Sequence, residues 1–250
     1  RVVRMAQVLP DVSWDKFYLL RSKIDVEEDD EHEFKGHRTI RMTDMPKICF
    51  LGGNSMSRQP ISRTINAFLN TGKGGTIYIG VLDSGLIEGI HLSTDQMVHV
   101  VKNVEETIKM FEPPVRLQDV KVRFVPVVSS DEEFRDLKSK EIKLSTSNKK
   151  HILGSAKFCW CDLDDLHQIG MGSITMPYII EIEVLPWAPV STCDDSVRLY
   201  PIYENEERLI FIRREAVNLK QNISDIIKLT KKEVNEHIER LTSSCEEILY

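Results

Sequence analysis

The chain has no apolar run approaching the roughly 20 residues that a membrane-crossing helix needs. Its first residues, RVVRMAQVLPDVSWDKF, lack the layout of a secretory signal, so nothing here speaks for insertion or export. Cysteine is scarce and odd in number, five in 250 residues, which is unlike a disulfide framework and makes a reducing compartment, the cytoplasm, the expected setting. Positive charge is not in excess either. A net charge of −6 argues against a protein that coats nucleic acid through its overall field, so any nucleic-acid role needs a local basic face. No internal repeat is visible, which excludes a solenoid.

What is present is an ordinary globular composition, 41% hydrophobic and 29% charged, long enough for one large domain or two small ones. Residues 12–24 begin amphipathic and run into DVEEDDEHE, seven acids among nine residues, which reads as a solvated, mobile entry segment. TDMPKICFLGGNSMSRQ reads as loop. Over residues 60–70, Ile61, Ile65, Phe68 and Leu69 fall at helical spacing behind a proline suited to a first turn. TGKGG stops that helix, and TIYIGVLD is a strand covered on both faces, followed by a turn at Gly85 into a second short strand over residues 86–90.

Residues 94–111 form a helix with Thr94 as N-cap, and VKVRFVPVV alternates as a strand. Residues 129–150 are polar and mixed in charge, an insertion or mobile loop. AKFCWC and YIIEIEVLPW return to strand, RLYPIYENEERLIFIRREAV to a hairpin turning over residues 204–207, and the chain closes with a long helix over residues 224–249. The expected fold is α+β, a mixed sheet with packed helices. Residues 1–24 form an entry segment, 25–220 the domain, and 221–250 the closing helix.

Two stretches taken together carry a resemblance. Glu28, Glu33, Phe34 and Lys35 compose an E-x4-E-F-K pattern, and forty residues on a helix ending in FLN leads into GGTIYIGVLDSGLIEGI. In order and spacing this resembles the opening motif and glycine-led strand of Schlafen and AlbA-like divergent domains. IYENEERLIFIRREAV is similar to that family's late strand pair. The resemblance implies a single Schlafen-type lobe and a metal-dependent endoribonuclease, with Glu28, Glu33 and Asp83 as catalytic and metal-binding carboxylates. Such a trio suits Mg²⁺ or Mn²⁺, hard cations that take oxygen ligands, keep waters and leave room for a phosphate. Three carboxylates without metal would repel one another, so metal should stabilise the fold. The plainer readings stand beside these: Glu28 as a solvated acid, Asp83 as a turn-initiating aspartate, Lys35 as a phosphate contact or merely the partner of a neighbouring acid.

For RNA contact the cations are Lys35, Arg38, Arg41, Arg63, Lys73, Lys149, Lys150, Arg213 and Arg214, with Tyr78, Trp160 and Trp187 as stacking surfaces. Cys159, Cys161 and Cys193 resemble the zinc site of vertebrate Schlafens, with His151, His167 or Asp194 open as fourth ligand; two half-buried thiols are the alternative. Known Schlafen cores pair two lobes around folded RNA. One lobe therefore implies a second Schlafen-like chain, a hetero-oligomer in preference to a homodimer, with any membrane association supplied by the partner. Among single-lobe relatives, worm Schlafen-like proteins assemble into a nuclease trimming the 5′ end of piRNA precursors; tRNA or rRNA cleavage is the other implied substrate. A non-catalytic scaffold lobe and a nucleic-acid-binding regulatory module are the alternatives.

Overall fold

The computed structural model describes residues 10–52, 55–139, 176–187, 201–228, 230–232 and 235. Its centre is a mixed sheet in the order β1 (Asp11–Val12), β8 (Val120–Val128), β9 (Met176–Val184), β6 (Gly75–Ile79), β3 (His32–Lys35), with β2 (Tyr18–Leu19) also on β8 and β7 (Ile90–Leu92) also on β9. β9 is antiparallel to β6, β7 and β8, whereas β3 runs parallel to β6 and both β1 and β2 run parallel to β8. The α+β expectation holds.

Alternation along the strands decides what each face meets. On one face Ile77, Ile79, Phe124, Ile180 and Ile182 are fully buried under α1 (Ile61–Thr71) and α2 (Thr94–Lys109), whose Ile61, Ile65, Phe68, Met97, Val104 and Ile108 complete the main core. On the other, Phe34, Val81, Ile87, Val127 and Ile179 form a smaller core under Tyr18, Ile24 and Val26. The acidic entry segment is thus tied down rather than free: it delivers two strands to β8, and Asp29 Oδ1 accepts from the amides of Glu31 and His32 at 2.7 and 2.8 Å.

α1 and α2 lie where helical periodicity puts them. Ser93, not Thr94, caps α2, in a reciprocal box with Gln96, because only a residue one step outside the helix has the extended backbone a cap needs. The second short strand falls at Ile90–Leu92, beyond the expected 86–90, with Leu86 and Ile87 in single bridges to Lys23 and Val81.

Two other expectations are corrected. Part of the polar insertion is a helix, α3 (Asp131–Ser139), held by Phe134, buried with its ring 4.5 Å from Phe17, and by Leu137, which packs part-buried against the main core. One aromatic and one leucine in a charged stretch give no visible period. The late hairpin, β10 (Ile210–Arg214) and β11 (Val217–Gln221), turns not at 204–207 but at Glu215 and Ala216, both at positive φ (47° and 61°). Paired positive angles match strand twist but are normally announced by glycine or asparagine, absent here. Residues 204–207 instead form a loop against Glu112 and Arg63. A short ribbon, β4 (Phe50–Gly52) with β5 (Ser55–Met56), stands apart. The described residues of the closing helix are helical, and the rest lie outside the described set, as do residues 140–175 with AKFCWC. Among the described residues no helix is long and apolar enough to cross a membrane.

Candidate active site

The parallel pairing of β3 with β6 sets Glu33 beside Ile77 and Lys35 beside Ile79, one step before the turn that carries Asp83. That pairing depends on a close approach at Gly75, whose own Cβ would lie 2.6 Å from the Glu31 carbonyl. At Gly74, with φ of +73°, a Cβ would come within 2.5 Å of the Val184 carbonyl. Gly75 is therefore what lets the acidic segment lie against the strand, and Gly74 what lets the backbone at the end of β9 approach.

Glu33 is buried, and its two carboxylate oxygens face two cations: Oε1 meets the Lys35 ammonium, Oε2 the Arg213 guanidinium. Glu28 is half-buried and accepts the Phe34 amide at 2.8 Å. Burial pushes its carboxyl above the ordinary value; the Phe34 amide and Lys35 oppose that, while the negative fields of Glu33 and Asp83 add to it. Asp83 is exposed at the wall of a cleft of about 590 Å³, lined also by Lys35, His37, Arg58 and Gln59.

His37 and Arg58 were not expected from sequence. They sit in stretches with no periodicity, and only the immediate sequel of Glu33-Phe34-Lys35 hinted at the first. The His37 imidazole accepts the Thr39 amide at Nδ1, 3.2 Å away. Burial, then the cations Lys35 and Arg58, hold its pKa down from 6.5 to about 4 against the opposing pull of Asp83, so the ring is neutral near pH 7.

Of the cations named for RNA contact, Lys35 lines the cleft. Arg213 is corrected from substrate contact to scaffold: it is buried, donates to the carbonyls of Asp29 and His32 at 2.9 Å each and to Asn218 Oδ1 at 3.1 Å, and lies over the Phe68 ring. Arg63 is likewise engaged, clasping Glu207 through two 2.8 Å bonds. Arg41 is buried against Thr107, and Lys73 pairs with Asp30 at 3.1 Å on the surface. Arg38 and Arg214 are not among the cleft-lining residues. Tyr78 stacks on His32 and meets Phe34 edge-on, while Trp187 covers Gly72. Lys149, Lys150, Trp160, Cys159, Cys161, Cys193, His151, His167 and Asp194 lie outside the described residues.

A family model described as "Schlafen, AlbA_2" matches residues 28–164, more than half of the chain, and begins on Glu28. The chain belongs to the Schlafen family. Its α+β architecture is that of a single Schlafen-type domain, and membership carries a nucleic-acid-related function in a family that includes endoribonucleases. In donor chemistry the Schlafen trio Glu28, Glu33 and Asp83 suits a hard divalent cation. In placement it is open: among the described residues no three His, Cys, Asp or Glu side chains lie close enough together to hold a metal ion.

Proposed function

We propose that this chain is the catalytic subunit of a metal-dependent Schlafen endoribonuclease, acting on RNA together with a second Schlafen-like chain. The observation that carries this is the cleft lined by Lys35, Arg58 and Asp83, with Glu33 buried on β3 two residues before Lys35 and ion-paired to it. Glu28, Glu33 and Asp83 are the residues that would hold Mg²⁺ or Mn²⁺, which when bound supplies polarisation of a phosphodiester and activation of its nucleophile. Lys35 and Arg58 bind the phosphate, Arg213 fixes the carboxylate of Glu33, and neutral His37 adds no charge to the cleft wall it shares with the two cations. Small structured or precursor RNA is the substrate class, with piRNA precursors, tRNA and rRNA as its members to test. Cys159, Cys161 and Cys193 are proposed as ligands of a structural zinc, which metal analysis of a Cys161→Ser variant tests.

The deciding assay incubates the chain and its co-purified partners with small structured RNAs, with and without Mg²⁺ or Mn²⁺. Cleavage that needs metal and disappears in Glu33→Ala and Asp83→Ala, with assembly intact, is the expected result. Normal cutting by both variants overturns the site. A second reading, a scaffold lobe for an active relative, is favoured by the commitment of Glu33 to two protein cations. A complex that stays fully active when this chain's acids are removed selects it.

A further inference from the structure

Among the described residues only one aromatic side chain is exposed. Phe50, the first residue of the β4–β5 ribbon, keeps 45% of its surface in solvent, whereas every other described ring is buried or half-buried. Of the rings expected to stack on RNA, Tyr78 is engaged by His32 and Phe34, and Trp187 lies on Gly72. The residue before Phe50 is placed the opposite way: Cys49 is only 2% exposed. One step of chain thus leads from the interior to an open apolar face.

The ribbon ties that face to the cleft. Phe50 pairs with Met56, and on the next rung the Ser57 amide donates to the Cys49 carbonyl at 2.8 Å. Ser57, Arg58 and Gln59 then line the cleft, where the cations Lys35 and Arg58 outnumber the one acid, Asp83. Lys47 and Arg58, before and after the ribbon in sequence, are both exposed. An open ring rooted beside a cationic cleft is what single-stranded nucleic acid fits: phosphate meets the charge, and a base lies flat on the ring whichever base it is. Paired bases inside a duplex keep their faces covered by their neighbours and have none to offer.

We propose that Phe50 is a base-stacking platform for single-stranded RNA whose phosphate is held in the cleft at Arg58. This rests on the reading of that cleft as the RNA site and adds a requirement on the substrate: an unpaired nucleotide next to the bound phosphate.

The test is fluorescence anisotropy of the full chain with a short, labelled single-stranded RNA in EDTA, so that binding is read without cleavage. Phe50→Ala is expected to weaken binding about tenfold, the effect of one stacked base, while the slope of log binding constant against log salt stays the same because no charge is lost. Phe50→Trp should keep wild-type affinity and Phe50→Leu should not. A duplex of the same sequence should bind wild type and Phe50→Ala equally. Full affinity of Phe50→Ala for the single strand, with a slope that falls in Arg58→Ala, overturns the stacking and leaves the cleft as the RNA site. Binding and slope unchanged in both variants overturn the cleft reading and this inference together. Full affinity in Phe50→Leu, or a slope that falls in Phe50→Ala as well, makes the ring a plain apolar contact or a support of the cleft and overturns the stacking. Loss of the co-purified partner chain from Phe50→Ala, with RNA affinity intact, makes the ring a protein contact and overturns it equally.

Discussion

The Arg213 guanidinium meets the Glu33 carboxylate with both side chains out of solvent, across 180 residues of sequence. A buried pair of this kind is a weak source of net stability while intact and a costly thing to break, because the survivor keeps its charge without its partner. Arg213→Met leaves Glu33 Oε2 and the carbonyls of Asp29 and His32 without their buried donor, with Lys35 alone remaining on Oε1. It is expected to lose about 3–5 kcal/mol in urea unfolding. A loss below about 1 kcal/mol would mean that the pair is not what holds the acidic segment in place.

Asn70, the asparagine of the FLN helix end, binds the late chain through both ends of its amide. Oδ1 accepts the Tyr203 amide at 2.7 Å, and Nδ2 reaches the Tyr203 and Phe211 carbonyls at 2.9 and 3.0 Å. Asn70→Leu fills the volume and leaves those groups unpaired in the interior. The expected cost is about 2–3 kcal/mol, with faster hydrogen exchange at the Tyr203 amide. Unchanged exchange there would assign the anchoring to Asn66, which donates to the Tyr203 carbonyl and accepts the Phe211 amide, each at 2.8 Å.

Much of the fold was legible because it is locally written. The 3.6-residue spacing of Ile61, Ile65, Phe68 and Leu69 and the alternation of Val120, Val122 and Phe124 each need only their own neighbours to be read. The glycine-led strand was equally plain. The register between β3 and β6 was not, since it joins segments forty residues apart and follows from which faces are buried once both exist. Arg213 illustrates the deeper difficulty. A charged residue beside another in a strand looks like a surface pair, and nothing local says that its guanidinium is surrounded by carbonyls and a carboxylate from the opposite end of the chain. Lys35 and Glu33 were legible as neighbours; that they neutralise each other was one of two open readings.

His37 makes stability depend on pH in a defined window. Its pKa falls from 6.5 when unfolded to about 4 in the folded chain, between Lys35, Arg58 and Asp83 with a backbone hydrogen bond at Gln59. The unfolded state therefore binds more protons between those values, and the stability that His37 contributes, fully present above pH 6.5, is lost as pH falls towards about 4. Urea midpoints measured from pH 7 to 4.5 should fall less steeply for His37→Asn than for wild type. Parallel slopes would remove His37 as the cause.

Arg58 is exposed on the cleft wall. As a phosphate contact it should contribute about 0.7 to the slope of log binding constant against log salt for a single-stranded RNA. Arg58→Ala is expected to reduce that slope by this amount, leaving the thermal midpoint unchanged. An unaltered slope would place the RNA elsewhere on the molecule.

The bond from Arg213 to the Asp29 carbonyl spans 184 positions. Synthesis runs from the amino end, so the acids of the first motif leave the ribosome long before the residue that completes their surroundings. A nascent chain ending anywhere short of the late hairpin holds Glu33 without its buried guanidinium. Whatever chemistry that carboxylate performs therefore has its full surroundings only after the late hairpin has emerged and folded back onto the first motif.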